Sequence, residues 1–344
     1  MAVGDDAKPA VNSYLAAFRE ATWGTYPATA ATNSVAMEFL SCSIKTEIKS
    51  EKLDTFGFRG MTKSVQLERS VAGTLEGYLH PYESPLLFGV ALGGGITSAS
   101  LSGGFIHSIS VGNITDTSPT AVSFSYKKGD HVWNYVGGRI DSLKISANVG
   151  EVAKVSYEMI FRDSTIGATN IQTSLSYSAS LPFTFVQGIF RYQATEAAAA
   201  TTTAAEAILG FELTIKNNLK SDGDARQLGT STLAVLPATR REVEFKVKQR
   251  FDTTTTYNRF IQGTTGAAEL RFTGPVFTST SAETELCVIR LPKLINRTGD
   301  TEVAGSGEIL TTEIAYDCIL DTTTSAGREI GVTFQNNVGS YTSI

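Results

Sequence analysis

Three histidines, three cysteines and a few neighbouring carboxylates are the residues of this chain whose types could do chemistry, and their spacing argues against it. His80, His107 and His131 are scattered, with no HExxH pattern and no cysteine or carboxylate at ligand spacing, so each reads as a sheet or loop residue. Cys42, Cys287 and Cys318 form an odd set without a CxxC pair. The first two fall in segments that read as strands, which suits buried free thiols in a reducing compartment better than disulfides or a metal site. "LGGGIT" (Leu92 to Thr97) lacks the Lys-Ser/Thr of a phosphate-binding loop and reads as the stop after a short helix. There is no GxSxG nucleophile elbow, and Asp5-Asp6 reads as a solvated terminus. No catalytic, cofactor-binding or metal-binding residue emerges.

The elements that would have to position any site are mostly strands. At 344 residues and 42% hydrophobic the chain can bury a core, yet only 18% of it is charged, against a usual share of about 25%. Ser and Thr are abundant, which suits strands and turns better than long solvated helices. The net charge of -5 and pI near 5.4 give no basic field for gripping phosphates, so tight nucleic-acid binding is not expected. "MAVGDDAKPA" lacks the basic and apolar regions of a leader, and "PLLFGVAL" (Pro85 to Leu92) is too short to cross a bilayer. The expectation is a protein made soluble in a cytoplasm, with no membrane insertion.

"GRIDSLKISANVGEVAKVSYEMIFRD" (Gly138 to Asp163) shows the local pattern at its plainest. Leu143, Ile145 and Ala147 alternate with polar residues, a turn follows at Asn148-Val149-Gly150, and Val155, Tyr157, Met159 and Phe161 alternate with Lys154, Ser156 and Glu158. This predicts a β-hairpin with one dry and one wet face. "TRREVEFKVKQR" (Thr239 to Arg250) likewise sets Glu244, Lys246, Lys248 and Arg250 opposite Val243, Phe245 and Val247. Such a mixed-charge face is solvated or meets a neighbouring subunit, and it lacks the stacking aromatics of a single-strand binder.

The two halves of the chain repeat one order of elements. "LSCSIKTEIKS" (Leu40 to Ser50) parallels "FELTIKNNLKS" (Phe211 to Ser221), with Ile44 against Ile215 at an offset of 171. At an offset of 170, "YESPLLFGVALG" (Tyr82 to Gly93) parallels "DTTTTYNRFIQG" (Asp252 to Gly263). Both predict short amphipathic helices, the first with Ser84 as N-cap, Pro85 in the first turn and Gly93 as stop. In the second, Tyr257, Phe260 and Ile261 match Leu87, Val90 and Ala91 as the apolar face. Each helix follows an alternating strand: Val71, Leu75 and Leu79 in one half, Val243, Phe245 and Val247 in the other. Strand, long connection, strand, helix and hairpin recurring in one order reads as tandem duplication. The predicted division is 1–193 for the first repeat, an exposed Ala/Thr-rich linker or loop at 194–207, and 208–344 for the second.

These residues resemble a tail tube protein of long-tailed, non-contractile bacteriophages, in the version that carries the tube fold twice. The resemblance covers nearly the whole chain and rests on "FREATWGTYP" (Phe18 to Pro27), "LEGYLHPYESPLLFGVALGG" (Leu75 to Gly94), the hairpin above, and "PFTFVQGIF" with "FELTIKNNL" around the junction. It implies a mainly β protein: two tandem tail-tube-like β-barrel or sandwich domains, each flanked by a short α-helix. It implies a structural virion protein, made in the host bacterial cytoplasm, whose subunits join edge to edge into rings that stack into a hollow tube for DNA ejection. Partners would be further copies of itself, a tape-measure protein, the tail terminator and tail-tip proteins, with genomic DNA passing without specific binding. Three chains would close a pseudo-sixfold ring, and six chains with the second copy outside is the alternative.

On this reading Lys154, Ser156 and Glu158 face the lumen or an equivalent wet surface. The long connections "SEKLDTFGFRGMTK" (Ser50 to Lys63) and "SDGDARQLGTSTLAVLPATR" (Ser221 to Arg240) are candidates for contact between rings, through Phe56, Phe58 and Arg59 in one and Leu228, Leu233, Val235 and Leu236 in the other. Folding back onto their own barrel is the competing expectation for them. The rivals for the whole chain are a distal tail or baseplate component that caps a tube, and a carbohydrate-binding or adhesive β-sandwich. The second would need an aromatic platform, whereas Trp23 and Trp133 read as packing residues.

Overall fold

The computed structural model describes residues 13–27, 34–53, 60, 63–112, 121–167, 175–251, 254–277, 283–299, 309–322 and 327–341. The first half holds β1 (Tyr14–Arg19), β2 (Val35–Met37), β3 (Ser41–Cys42), β4 (Lys45–Leu53), β5 (Lys63–Tyr78) and α1 (Ser84–Leu92). β6 (Gly93–Leu101), β7 (Gly104–Val111), β8 (Val122–Lys128), β9 (His131–Asn148), β10 (Lys154–Phe161) and β11 (Asp163–Ile166) follow. Then come β12 (Gly188–Gln193), α2 (Glu196–Thr201), β13 (Ile208–Lys216), β14 (Glu242–Arg250) and α3 (Thr255–Gln262). β15 (Gly266–Val276), β16 (Thr284–Asn296), β17 (Thr311–Cys318) and β18 (Gly331–Asn336) complete the order.

Every strand pairing is antiparallel, and the fold is mainly β as the alternation predicts. One sheet runs β4-β5-β10-β9-β13-β14-β17. Its dry face carries Leu143, Ile145, Ala147, Val155, Tyr157, Met159, Phe161, Leu213, Ile215 and Phe245, all buried in one continuous core. Two groups of strands cover that face: β2-β1-β8 with the first part of β9 and β11, and β12-β15-β16-β18-β7-β6. Aromatic contacts knit the layers, with Phe124 and Tyr135 on Phe161 at 5.4 and 5.5 Å and Phe190 on Phe245 at 5.6 Å.

β9 belongs to two layers because it turns a corner at Gly137-Gly138. Its residues before the corner pair with β8 and β11, and those after it with β10 and β13. Gly137 has φ +69°, and a Cβ there would sit 2.6 Å from Cβ of Arg162, so glycine is required on both conformational and steric grounds. The "FREATWG" segment holds the corner. The buried Glu20 carboxylate accepts from Gly137 N–H at 2.6 Å and Gly24 N–H at 2.7 Å, and Trp23 Nε1 donates to Gly137 O at 3.1 Å.

The two helices predicted as equivalents form, each ended by a left-handed glycine, Gly93 and Gly263. Two expectations about them need correction. Ser84 is the first helical residue and Glu83 the N-cap, with the Ser84 hydroxyl accepting from His80 N–H. Moreover α1 is not amphipathic, since all its residues are buried, because β6, β7 and β9 pack around it and Phe334 from the second half sets its ring on Phe88 at 5.3 Å. α3 is amphipathic, but its apolar residues are largely uncovered: Tyr257 is 38% and Ile261 63% exposed.

The expected Ala/Thr linker is instead partly a short helix, α2. Thr195 caps it by accepting from Ala198 N–H, Ala199 is buried, and Glu196 pairs with Arg328. The halves share one sheet and one core. β9 of the first pairs along β13 of the second, and β12, before the alanine tract, pairs with β15, after it.

Candidate functional site: the charged sheet face and the connections at its end

The wet face of the long sheet is a lattice of alternating charges set by strand register. Ser156 on β10 lies between Glu76 on β5 and Lys144 on β9, and Lys144 lies opposite Thr214 on β13. In the next row Lys154 faces Ser146, then Glu212, then Lys246. Glu158, one step the other way, faces Ser142 and then Lys216. Lys154 and Glu158 are exposed and Ser156 half-buried, so the predicted wet and dry faces of the hairpin are the observed ones.

Two lysines of this face, Lys144 and Lys246, meet an acid on a neighbouring strand, whereas Lys154 and Lys216 have no ion pair among the described residues. Lys144 reaches Glu212 at 2.7 Å across the β9–β13 seam, and Lys246 approaches the same carboxylate at 4.0 Å. Arg297 bridges Glu244 at 3.3 Å and Asp317 at 3.2 Å. Exposed pairs of this kind add little stability, but each one leaves a positive charge less free to hold a passing polyanion. The sequence reading missed Glu212 and Lys144 as a pair, because only the seam between the halves brings them together.

At one end of this sheet lie the long connections. Phe56, Phe58 and Arg59 fall outside the described residues. The hairpin stem that carries them, β4 with the first part of β5, is exposed and leaves Ile48, Val65 and Leu67 partly uncovered. In the second connection Leu233 and Leu236 turn inward to a small cluster with Trp23, Ala121 and Ala225, whereas Leu228 is fully exposed and Val235 partly so. Trp23 is itself flanked by the guanidinium groups of Arg139 at 5.2 Å and Arg162 at 5.1 Å. Arg226 ties this lobe to β5, donating to Arg69 O at 3.2 Å and pairing with Glu68 at 3.5 Å.

The residues that could have done chemistry are dispersed. His107 on β7 is buried between Ser98 and Asn336, and His80 accepts from Tyr82 N–H while its other nitrogen bonds Ser180 O. His131 is exposed at the start of β9. Cys42, Cys287 and Cys318 stand free on β3, β16 and β17, the last two buried. A cavity of about 700 Å³ lies beside α1 and is lined in part by Tyr82, Glu83, Ser180, Glu285 and Tyr341. Burial pushes the Glu83 carboxyl up to about 8 and also raises Glu285. Among the described residues there is no cluster of three or more metal-ligating side chains.

The sequence model of the phage tail tube protein family matches residues 10–318. The chain belongs to the phage tail tube protein family. The matched span takes in the Trp23 corner, both helices, the charged hairpin and the strands through β17. Membership makes this a structural protein of the bacteriophage tail and places it in the virion. No curated protein matches the chain significantly. No helix among the described residues is long and apolar enough to cross a membrane.

Proposed function

We propose that this tail tube protein forms rings that stack into the hollow tube through which DNA leaves the phage, with the charged sheet face lining the channel. The observation that carries the reading is the unbroken β4-to-β17 sheet, whose dry side is the core of the molecule and whose other side is a polar surface of mixed charge. Lys154, Ser156 and Glu158 sit near its middle. A surface that mixes acids with its bases suits a conduit, because each phosphate gripped would have to be released as the duplex moves.

Three chains per ring, each supplying two tube units, fit the recurrence of β4-β5-β10-β9 as β13-β14-β17-β16 along the sheet. Rings then stack through the end where the connections lie, with Leu228 and Val235 as the open apolar positions of the second one. A stable contact of this kind buries on the order of 1,000 Å² or more, so several connections around the ring must act together. Tape-measure, terminator and tail-tip proteins are the partners this role requires.

Electron microscopy of the purified protein at high concentration, with and without tail-tip complexes as seeds, tests the reading. Hollow rings or tubes with threefold modulation of a sixfold outline are expected. True sixfold rings would keep the tube and remove the trimer, and compact particles under all conditions would remove both in favour of a tube-capping role.

A further inference from the structure

The cavity of about 700 Å³ beside α1 lies where the two halves of the chain meet, with Glu83 contributed by the first and Glu285 and Tyr341 by the second. Glu83 is there because it caps α1, and Glu285 because β15 carries a bulge between Thr273 and Val276 opposite it. Such an irregularity re-aims the side chains around it, and Pro275 and Val276 of the bulge line the cavity together with Glu285. Both carboxyls are more than nine-tenths buried, Glu83 with 5% and Glu285 with 4% of its surface exposed. Each uses one oxygen within the fold: Glu83 Oε2 accepts from Glu38 N–H at 2.9 Å, and Glu285 Oε1 accepts from the Ser180 hydroxyl. Their other oxygens, Glu83 Oε1 and Glu285 Oε2, are buried without a hydrogen-bond partner among the described residues. A buried carboxylate oxygen that lacks a donor is costly to keep.

The surroundings supply acids and no base. Neither Lys nor Arg is among the described residues that line the cavity. His80, next to it, accepts from Tyr82 N–H on Nδ1 and bonds Ser180 O at 2.8 Å with its other nitrogen, so it is neutral and adds no positive charge. The Tyr341 hydroxyl is already spent, donating to Tyr82 O at 2.6 Å and accepting from Asn336 Nδ2 at 2.8 Å. The two orphaned carboxyl oxygens are therefore the polar groups the cavity has to offer, and their charge favours a cation over an anion. Around them Tyr177, Leu181 and Val276 line the cavity as large apolar side chains that are themselves exposed. The volume lies within the range of about 300–1,000 Å³ usual for small-molecule sites.

We propose that this cavity binds a small aliphatic diamine, whose ammonium groups donate to Glu83 Oε1 and Glu285 Oε2 and whose hydrocarbon stem lies against Tyr177, Leu181 and Val276. An ammonium group brings both things that the two acids lack, hydrogen-bond donors and the opposite charge. Two ammonium groups balance two carboxylates, and an apolar stem between them matches the apolar side chains of the walls. Because the acids come from different halves of the chain, a bound diamine ties the halves together and stabilises the folded state by mass action. The site is independent of the tube reading and stands or falls without it.

Isothermal titration calorimetry of the full chain with cadaverine, a five-carbon diamine, tests it. The titration is run at about pH 8.5, where Glu83, pushed up to about 8 by burial, is mostly ionised and alkylammonium groups keep their charge. Saturable binding of one cadaverine per chain is expected, with a melting temperature that climbs as cadaverine is added. Pentanediol, of the same length but uncharged, should give neither. Glu285→Gln should keep the melting temperature of the free protein within a few degrees and weaken cadaverine binding by about tenfold or more, as losing one partner of a buried charge pair does. Glu158→Gln, on the exposed sheet face, should bind cadaverine as the wild type does. Absence of saturable binding, equal binding of pentanediol, or a Glu285→Gln affinity equal to that of the wild type would overturn the site. Should Glu285→Gln fail to fold, Glu83→Gln, with the same expected loss, and the comparison of cadaverine with pentanediol on the wild type decide.

Discussion

Arg241 donates from Nη2 to the carbonyl oxygen of Leu92, 3.0 Å away, and so closes the end of α1 with a side chain from the other half of the protein. The same nitrogen reaches Gly112 O at 2.8 Å, and Nε reaches Asn217 Oδ1 at 3.2 Å. The last carbonyls of a helix have no partner within it, and a guanidinium also complements the negative end of the helix dipole. Arg241→Ala should therefore destabilise the fold by about 2–4 kcal/mol, because Gly112 O loses this donor and Leu92 O keeps only Gly112 N–H. A denaturant midpoint unchanged from wild type would show that the junction does not depend on this cap.

Glu83 makes stability fall as pH rises. Its carboxyl titrates near 4.5 in the unfolded chain and is pushed up to about 8 in the fold, because burial disfavours the charged form. Between those values the folded state holds the proton more tightly, so raising the pH removes stability across that window, by at most a few kcal/mol. Glu83→Gln should flatten the decline in melting temperature between about pH 5 and 8. A slope equal to that of the wild type would assign the decline to other groups.

Ser156→Lys together with Glu158→Lys places uncompensated bases in the middle of the charged face. Folding and ring formation should survive, with stability within about 0.5 kcal/mol of wild type, as for most surface substitutions. Phage carrying the pair should eject DNA more slowly, with the delay shrinking as salt rises. Ejection at the wild-type rate would take this face out of the lumen.

The second connection contains residues with opposite duties. Leu233→Ala opens a cavity beside Trp23 and should cost about 2–4 kcal/mol in unfolding free energy. Leu228→Asp touches no packed neighbour, so it should leave the melting temperature alone and shorten the tubes that form. Equal effects of the two on unfolding would contradict the inward and outward assignment.

Gly137→Ala forces a side chain into φ +69° and against Arg162. A loss of at least about 2 kcal/mol is expected from strain and clash together. Circular dichroism melting would detect it, and a neutral result would mean that the β9 corner relaxes.

Alternation along the chain was sufficient to assign the two faces of β9 and β10. Side chains two apart share a face whatever the strand's neighbours are, so Val155, Tyr157 and Met159 had to lie opposite Ser156 and Glu158. Gly93 and Gly263 were equally legible as helix stops, because a left-handed cap is a local demand on one residue. The recurrence of strand, connection, strand and helix could be read for the same reason, each piece being a pattern of neighbouring residues.

What the tertiary structure decided is how those pieces meet. The same apolar strand pattern could have joined any of several edges, and nothing local in "TEIKSEKL" or "LGFELTIK" separates the open β4 from the β13 that takes up β9. The full burial of α1 depends on β6, β7 and β9 closing around it, and the inward turn of Leu233 and Leu236 and the pairing of Lys144 with Glu212 depend on the second half packing against the first. Those contacts join residues far apart in sequence, and their energy comes from surfaces that exist only once both halves have folded.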